Sequence, residues 1–138
     1  TPTKEKVMNL LDVLSAAEGY VFVDCSNDDS DLISKQAIAR ADHIIQVITP
    51  DLKSMTWLNS DGDKIITSGT GQSLKVINIT EHELYIPLED VCTHLKNVAC
   101  VLPYCRQVKQ QLLDGSLYER LNAKEYKKRL SALVNRVI

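Results

Sequence analysis

No apolar run in this chain approaches the roughly 20 residues that a membrane-spanning helix needs, and no charged-then-apolar leader pattern opens it. A single-helix membrane span is therefore excluded for these residues. No Cys-x-x-Cys pair occurs either. Cys25, Cys92, Cys100 and Cys105 stand apart, each in or beside an apolar stretch, as buried free thiols of a reducing compartment do. His43, His82 and His94 are scattered. Cys92 and His94, two residues apart, point away from each other on a helix, so the spacing makes no zinc site. Neither sign of charge dominates. The net charge of −2 gives no global attraction to nucleic acid or to an anionic membrane, so any such contact needs a local patch.

What is present is ordinary globular material. Of the 138 residues, 44% are hydrophobic and 25% charged, enough apolar surface for a core in one domain or a large piece of one. The chain begins at Thr1 rather than Met and opens directly into a helical pattern, from which we expect further residues upstream.

Val7, Leu10, Leu11 and Leu14 recur at helical spacing and predict a helix over 3–17, with Gly19 as a stop signal. Tyr20, Val21, Phe22 and Val23 form a short unbroken apolar run ending at Asp24, the pattern of a strand buried on both faces. A second helix follows, capped by Ser30 or Asp31 and carrying Leu32, Ile33, Ala37, Ile38 and Ala41. Residues 43–48 read as a strand, and Thr49-Pro50 as the cap and first turn of a helix over 50–59. Residues 60–73 read as a loop with a short strand or hairpin. Strands are then predicted at 74–79 and 98–102, with a helix opened by Pro87 between them. A helix over 105–114 follows. The last helix starts near Asn122, with Glu125 completing a capping box. Its inner stripe is Ala123, Tyr126, Leu130, Leu133, Val134 and Val137, and its outer face is basic.

Strands alternating with helices predict one α/β domain over 1–138. Right-handed crossovers then give a three-layer arrangement, a mainly parallel sheet with helices on both faces. Ligands in such folds sit at the carboxyl ends of the strands. That rule selects Asp24, Thr49, Asn78 and Pro103.

Several segments, in order, resemble the C-terminal part of the ParA/MinD-like P-loop ATPases, the deviant Walker A class that includes pilus-localisation relatives. Residues 19–25, ending in Asp24-Cys25, resemble the strand that ends in a metal-site aspartate. Residues 38–45, Ile-Ala-Arg-Ala-Asp-His-Ile-Ile, resemble the family's alanine-aspartate helix end. Val47-Ile48-Thr49-Pro50 resembles the strand and proline that follow it. Val76-Ile77-Asn78 resembles the strand whose asparagine faces the adenine. Val101-Leu102-Pro103-Tyr104 resembles the turn that closes the base pocket, and residues 113–117 the bend before the final helix. The resemblance covers about residues 5–138. It implies ATP and Mg²⁺ as cofactors of the complete protein. Asp24 would organise the Mg²⁺ water shell, with Asp28 and Asp29 in the switch loop, while Asn78, Pro103 and Tyr104 would form the adenine pocket. It also implies a cytoplasmic homodimer, located by a protein partner, by DNA or by membrane at nucleoid, pole or inner surface, with Met55 and Trp57 as candidates for the dimer face.

The departures carry weight too. The glycine-rich loop with two lysines that grips the β- and γ-phosphates does not occur in this sequence, and the proline expected two residues after Asp24 is Ser26. ATP hydrolysis therefore requires such a loop upstream. Two functions follow from the resemblance: an ATP-dependent dimer switch that positions cargo, or a pseudo-ATPase scaffold that keeps the fold without the chemistry. A receiver-type signalling domain fits less well, because no lysine follows a late strand as that chemistry requires. Each site residue also has a plainer role: a cap for Asp24, a strand end for Asn78, a strand terminator for Pro103. Met55 and Trp57 would be core residues and the terminal helix a packed one with a solvated basic face.

Overall fold

The computed structural model of the chain describes residues 2–17, 19–28, 30–59 and 71–138. The elements run α1 Lys4–Ser15, α2 Leu32–Arg40, β1 His43–Ile48, α3 Leu52–Trp57, β2 Gln72–Asn78, α4 Leu88–Leu95, β3 Val98–Leu102, α5 Arg106–Asp114 and α6 Lys124–Val137. This is an α/β protein with one three-stranded parallel sheet in the order β1-β2-β3. Its contacts divide it into two compact units: Thr1–Ile44 with Leu58–Ser73, and Ile45–Trp57 with Leu74–Ile138.

In the first unit α1 packs on α2. Their buried side chains are Val7 and Leu11 on one helix and Ser34, Ala37 and Ile38 on the other. Thr3 caps α1, its side chain accepting from the Lys6 N–H, and Asp31 caps α2 by accepting from the Ile33 and Ser34 N–H groups. Arg40 ties the two helices by pairing with Asp12 and donating to the Met8 carbonyl. Gly71 is needed where the chain enters β2: a Cβ there would stand 2.1 Å from the Ala41 carbonyl oxygen. That close approach lets the Gln72 N–H donate to the Asp42 carbonyl at 2.9 Å.

One sequence expectation is corrected here. Residues 20–26 form no strand. Among the described residues no strand lies beside them, and a β-strand exists only through its ladder. The side chains of residues 20–24 are exposed, Phe22 at 77%. Asp24 is thus an exposed loop residue and does not end a strand. The expected hairpin within 60–73 lies mostly outside the described residues, as does Asp29.

The second unit is built on the parallel pair β2–β3. Lys75 is opposite Val98 and Val76 opposite Cys100, so β3 spends one extra residue there. That bulge breaks the alternation of side chains, and Ala99 and Cys100 both pack on one core cluster. The cluster is Leu74, Val76, Leu102 and Leu133, flanked by Tyr126 and Val137. Helix α6 thereby covers β3. The covering is uneven along the sheet: on β1, Ile44, Gln46 and Ile48 are buried while Ile45 and Val47 are exposed, so one face of that strand is open to water. Burial holds the Tyr126 hydroxyl and the Cys100 thiol above their ordinary pKa values. All four cysteines are free and half-buried.

The capping box expected at Asn122 does not form. The Asn122 N–H donates instead to Gln107 Oε1 at 2.9 Å, and Glu125 pairs with Arg129. Gln107 Nε2 donates to the Arg120 carbonyl, and the buried Gln111 Nε2, one turn on, to the Glu119 carbonyl. Two glutamines of α5 thus hold the segment that leads into α6. Gly115, at φ 67°, ends α5 in the left-handed conformation that glycine adopts at no steric cost.

The predicted inner stripe of α6 divides on inspection. Leu133 is 6% exposed, whereas Leu130 is 39% and Val134 42% exposed at the margin. Leu133→Ala should therefore cost about 2–5 kcal/mol, as buried leucine truncations do, and Leu130→Ala clearly less. Lys127→Glu with Lys128→Glu should leave the unfolding midpoint almost unchanged. Urea unfolding followed by circular dichroism checks all three, and equal losses at Leu130 and Leu133 would contradict the packing.

Candidate functional site

The parallel register fixes what meets at the carboxyl edge of the sheet. Asn78, the last residue of β2, lies opposite Leu102, the last residue of β3. The Ile79 N–H then donates to the Leu102 carbonyl at 3.0 Å, which carries the pairing one residue past the strand. The two chains leave the sheet side by side, one as Ile79-Thr80-Glu81-His82 and the other as Pro103-Tyr104-Cys105. Proline suits this exit, since it has no N–H to continue the ladder.

Two contacts join these exits further out. The rings of His82 and Tyr104 meet edge to face with centroids 5.7 Å apart. Lys109 of α5 donates to both carboxylate oxygens of Glu81, at 3.2 and 2.9 Å. That hydrogen bond holds the Lys109 ammonium above its ordinary pKa. Asn78, Pro103 and Tyr104 are half-buried and His82 is exposed. The arrangement offers an amide that donates and accepts, a proline face and two aromatic edges. Those groups suit a flat heteroaromatic ligand.

The corresponding end of β1 carries a polar knot. Thr49 donates to Asp51 and lies 2.6 Å from Ser54 Oγ. Asp51 Oδ1 accepts from the Ser54 N–H at 2.8 Å. Asp51, not Thr49, thus caps α3, and α3 starts at Leu52 rather than Pro50. Hydrogen bonds from Thr49 and Ser54 hold the Asp51 carboxyl below its usual range. Met55 and Trp57 on α3 are half-buried.

Asp24 belongs to the first unit, in a loop organised from α2. The buried Ser34 hydroxyl accepts from the Ser26 N–H at 2.8 Å and donates to Asp31. Asp28 accepts from the Ser30 N–H, also at 2.8 Å. These hydrogen bonds depress the pKa of Asp31 and of Asp28, while burial raises that of Cys25. Asp28 therefore has a structural task in its turn, whatever else it does.

The sequence named Asn78, Pro103 and Tyr104, and the structure brings them to one edge. It missed His82 and Lys109, whose positions follow from loop paths rather than from any local pattern. Among the described residues, no three of His, Cys, Asp and Glu come together as metal ligands. The cation at the edge, Lys109, is engaged by Glu81. Asn78, Pro103 and Tyr104 supply no glycine-rich, lysine-bearing cradle for a Mg²⁺-triphosphate. Among the described residues no helix is long and apolar enough to cross a membrane. Compared with family models, curated proteins and solved structures, the chain matches none.

Asp31 and Asp28 give a pH test of the loop. A carboxyl depressed in the folded state contributes stability above its unfolded pKa, near 3.9, and loses it as pH falls through the folded value. Amide protection at Ile33, Ser34 and Ser30 should hold at neutral pH and fall below about pH 4. Protection unchanged down to pH 2 would remove these caps from the account.

Proposed function

We propose that this chain supplies the base-binding side of a nucleotide site in a ParA/MinD-like ATPase that positions cargo through an ATP-dependent dimer switch. The observation that carries the reading is the exit of β2 and β3 from a parallel sheet, which sets Asn78 beside the Pro103-Tyr104 turn. Open parallel sheets bind ligands at that edge. In this reading Asn78 hydrogen-bonds the adenine edge and Pro103 and Tyr104 wall the ring. The three-layer P-loop arrangement belongs to the same proposal. The phosphates and Mg²⁺ would be held by a glycine-rich, lysine-bearing loop that this sequence does not contain. Bound Mg²⁺ would supply charge neutralisation at the phosphates.

A second reading is a pseudo-ATPase scaffold. One observation favours it: Asp24 sits in an exposed irregular loop instead of at a strand end. The two readings share the base site and differ in catalysis. A parent chain carrying the phosphate loop should hydrolyse ATP and lose turnover with Asp24→Ala. Normal turnover in that variant would take Asp24 out of the mechanism.

For the chain itself, MgATP should bind no tighter than roughly 1 mM, about 4 kcal/mol, because only the base is gripped. Adenosine titrated into labelled protein should shift the amides of Asn78, Ile79, His82 and Tyr104. Tyr104→Ala should weaken this about 2- to 12-fold, the equivalent of about 0.5–1.5 kcal/mol for an aromatic contact. Micromolar MgATP affinity would contradict the division of labour, and shifts confined to other parts of the chain would contradict the site.

A further inference from the structure

The net charge of −2 conceals an uneven distribution. The unit Thr1–Ile44 with Leu58–Ser73 carries ten acids against five bases, a net of −5. The unit Ile45–Trp57 with Leu74–Ile138 carries eight acids against eleven bases, a net of +3.

Each excess is concentrated beside exposed apolar surface. At about 100° per residue, Leu130, Val134, Lys127, Ser131, Lys124, Asn135 and Lys128 follow one another round α6, with Ile138 just past its end. The three lysines are exposed, and Leu130, Val134 and Ile138 at their border are 39%, 42% and 59% exposed. Glu125, the acid of this helix, is engaged with Arg129 on another side. In the first unit the order is similar along the chain. Exposed Tyr20, Val21, Phe22 and Val23 lead directly into exposed Asp24 and Asp28, with Asp31 half-buried beyond.

We propose that copies of this chain associate head to tail, the lysine strip of α6 on one copy docking on the 20–31 segment of the next. Lys124, Lys127 and Lys128 meet Asp24, Asp28 and Asp31, while Val134 and Ile138 cover part of the 20–23 run. A nucleic acid or an anionic bilayer would answer the lysines but not the acidic residues beside the 20–23 run. A second copy answers both features with surface that this chain already presents. The contact joins two different surfaces, so copies joined through it either pair reciprocally or continue as a ring or an open filament. It needs no nucleotide and uses none of Asn78, Pro103 and Tyr104.

The test is sedimentation velocity over a wide protein concentration range at low and high salt. The sedimentation coefficient should rise with concentration at low salt and stop rising when the charges are screened. Lys127→Glu with Lys128→Glu should weaken association on the order of tenfold or more. Asp24→Lys with Asn27→Lys should do the same while sparing the caps Asp28 and Asp31. All four positions are exposed; circular dichroism confirms that both variants fold. Each variant alone should stay monomeric, and mixing the two should restore a one-to-one complex. Phe22→Ser should weaken the wild-type association at low salt. A wild-type chain that stays monomeric throughout overturns the proposal. So does association indifferent to both charge reversals, or a monomeric chain whose lysine strip binds random-sequence duplex DNA or phosphatidylserine vesicles.

Discussion

The parallel pairing of β2 with β3 is the constraint on which the second unit rests. Its register does two things together. On the covered side it lets Leu74, Val76 and Leu102 form one buried cluster with Leu133, and this cluster fastens α6. At the carboxyl end it sets Asn78 opposite Leu102, so that the two chains leave the sheet as neighbours. A one-residue slip would turn alternate side chains to the wrong face and separate the exits. Core and candidate site therefore share one register.

Polar side chains then fix what the sheet leaves undecided. Gln107 and Gln111 satisfy backbone groups between Glu119 and Asn122, where the chain has no regular structure of its own. Ser34 and Asp31 take up the Ser26 and Ser34 N–H groups in the same way. At the turn from α4 into β3, Lys96 and Asn97 both adopt φ near 50°, a conformation Asn tolerates and Lys accepts only with strain. These are local solutions to the problem of backbone groups outside ladders and helices.

What was legible in the sequence follows from how local each cause is. The bounds of β1 and β3 could be read directly, because short apolar runs with abrupt polar or proline ends depend on neighbours in sequence. The cap of α2 was narrowed to Ser30 or Asp31 for the same reason, and Asp31 fills it. Residues 20–23 show the opposite case: the run has strand composition, but strand structure requires a partner ladder, and none of the described residues supplies one. The Asn122 capping box failed because Gln107, fifteen residues away in sequence, takes the donor it needed. At the edge, Asn78 and Pro103 were found by the strand-end rule and Tyr104 by the resemblance. His82 and Lys109 were not, since only the folded loops bring them in.

The Ile79 amide tests this account most directly. It lies one residue beyond β2, in a segment that would otherwise be loop, and its N–H donates to the Leu102 carbonyl at 3.0 Å. Native-state hydrogen exchange resolved to single residues should show Ile79 protected at a level approaching that of Val76 and Ile77. Exchange at an unprotected loop rate, with Val76 and Ile77 still slow, would mean that the strands part before Asn78 and that the edge site is not assembled as described.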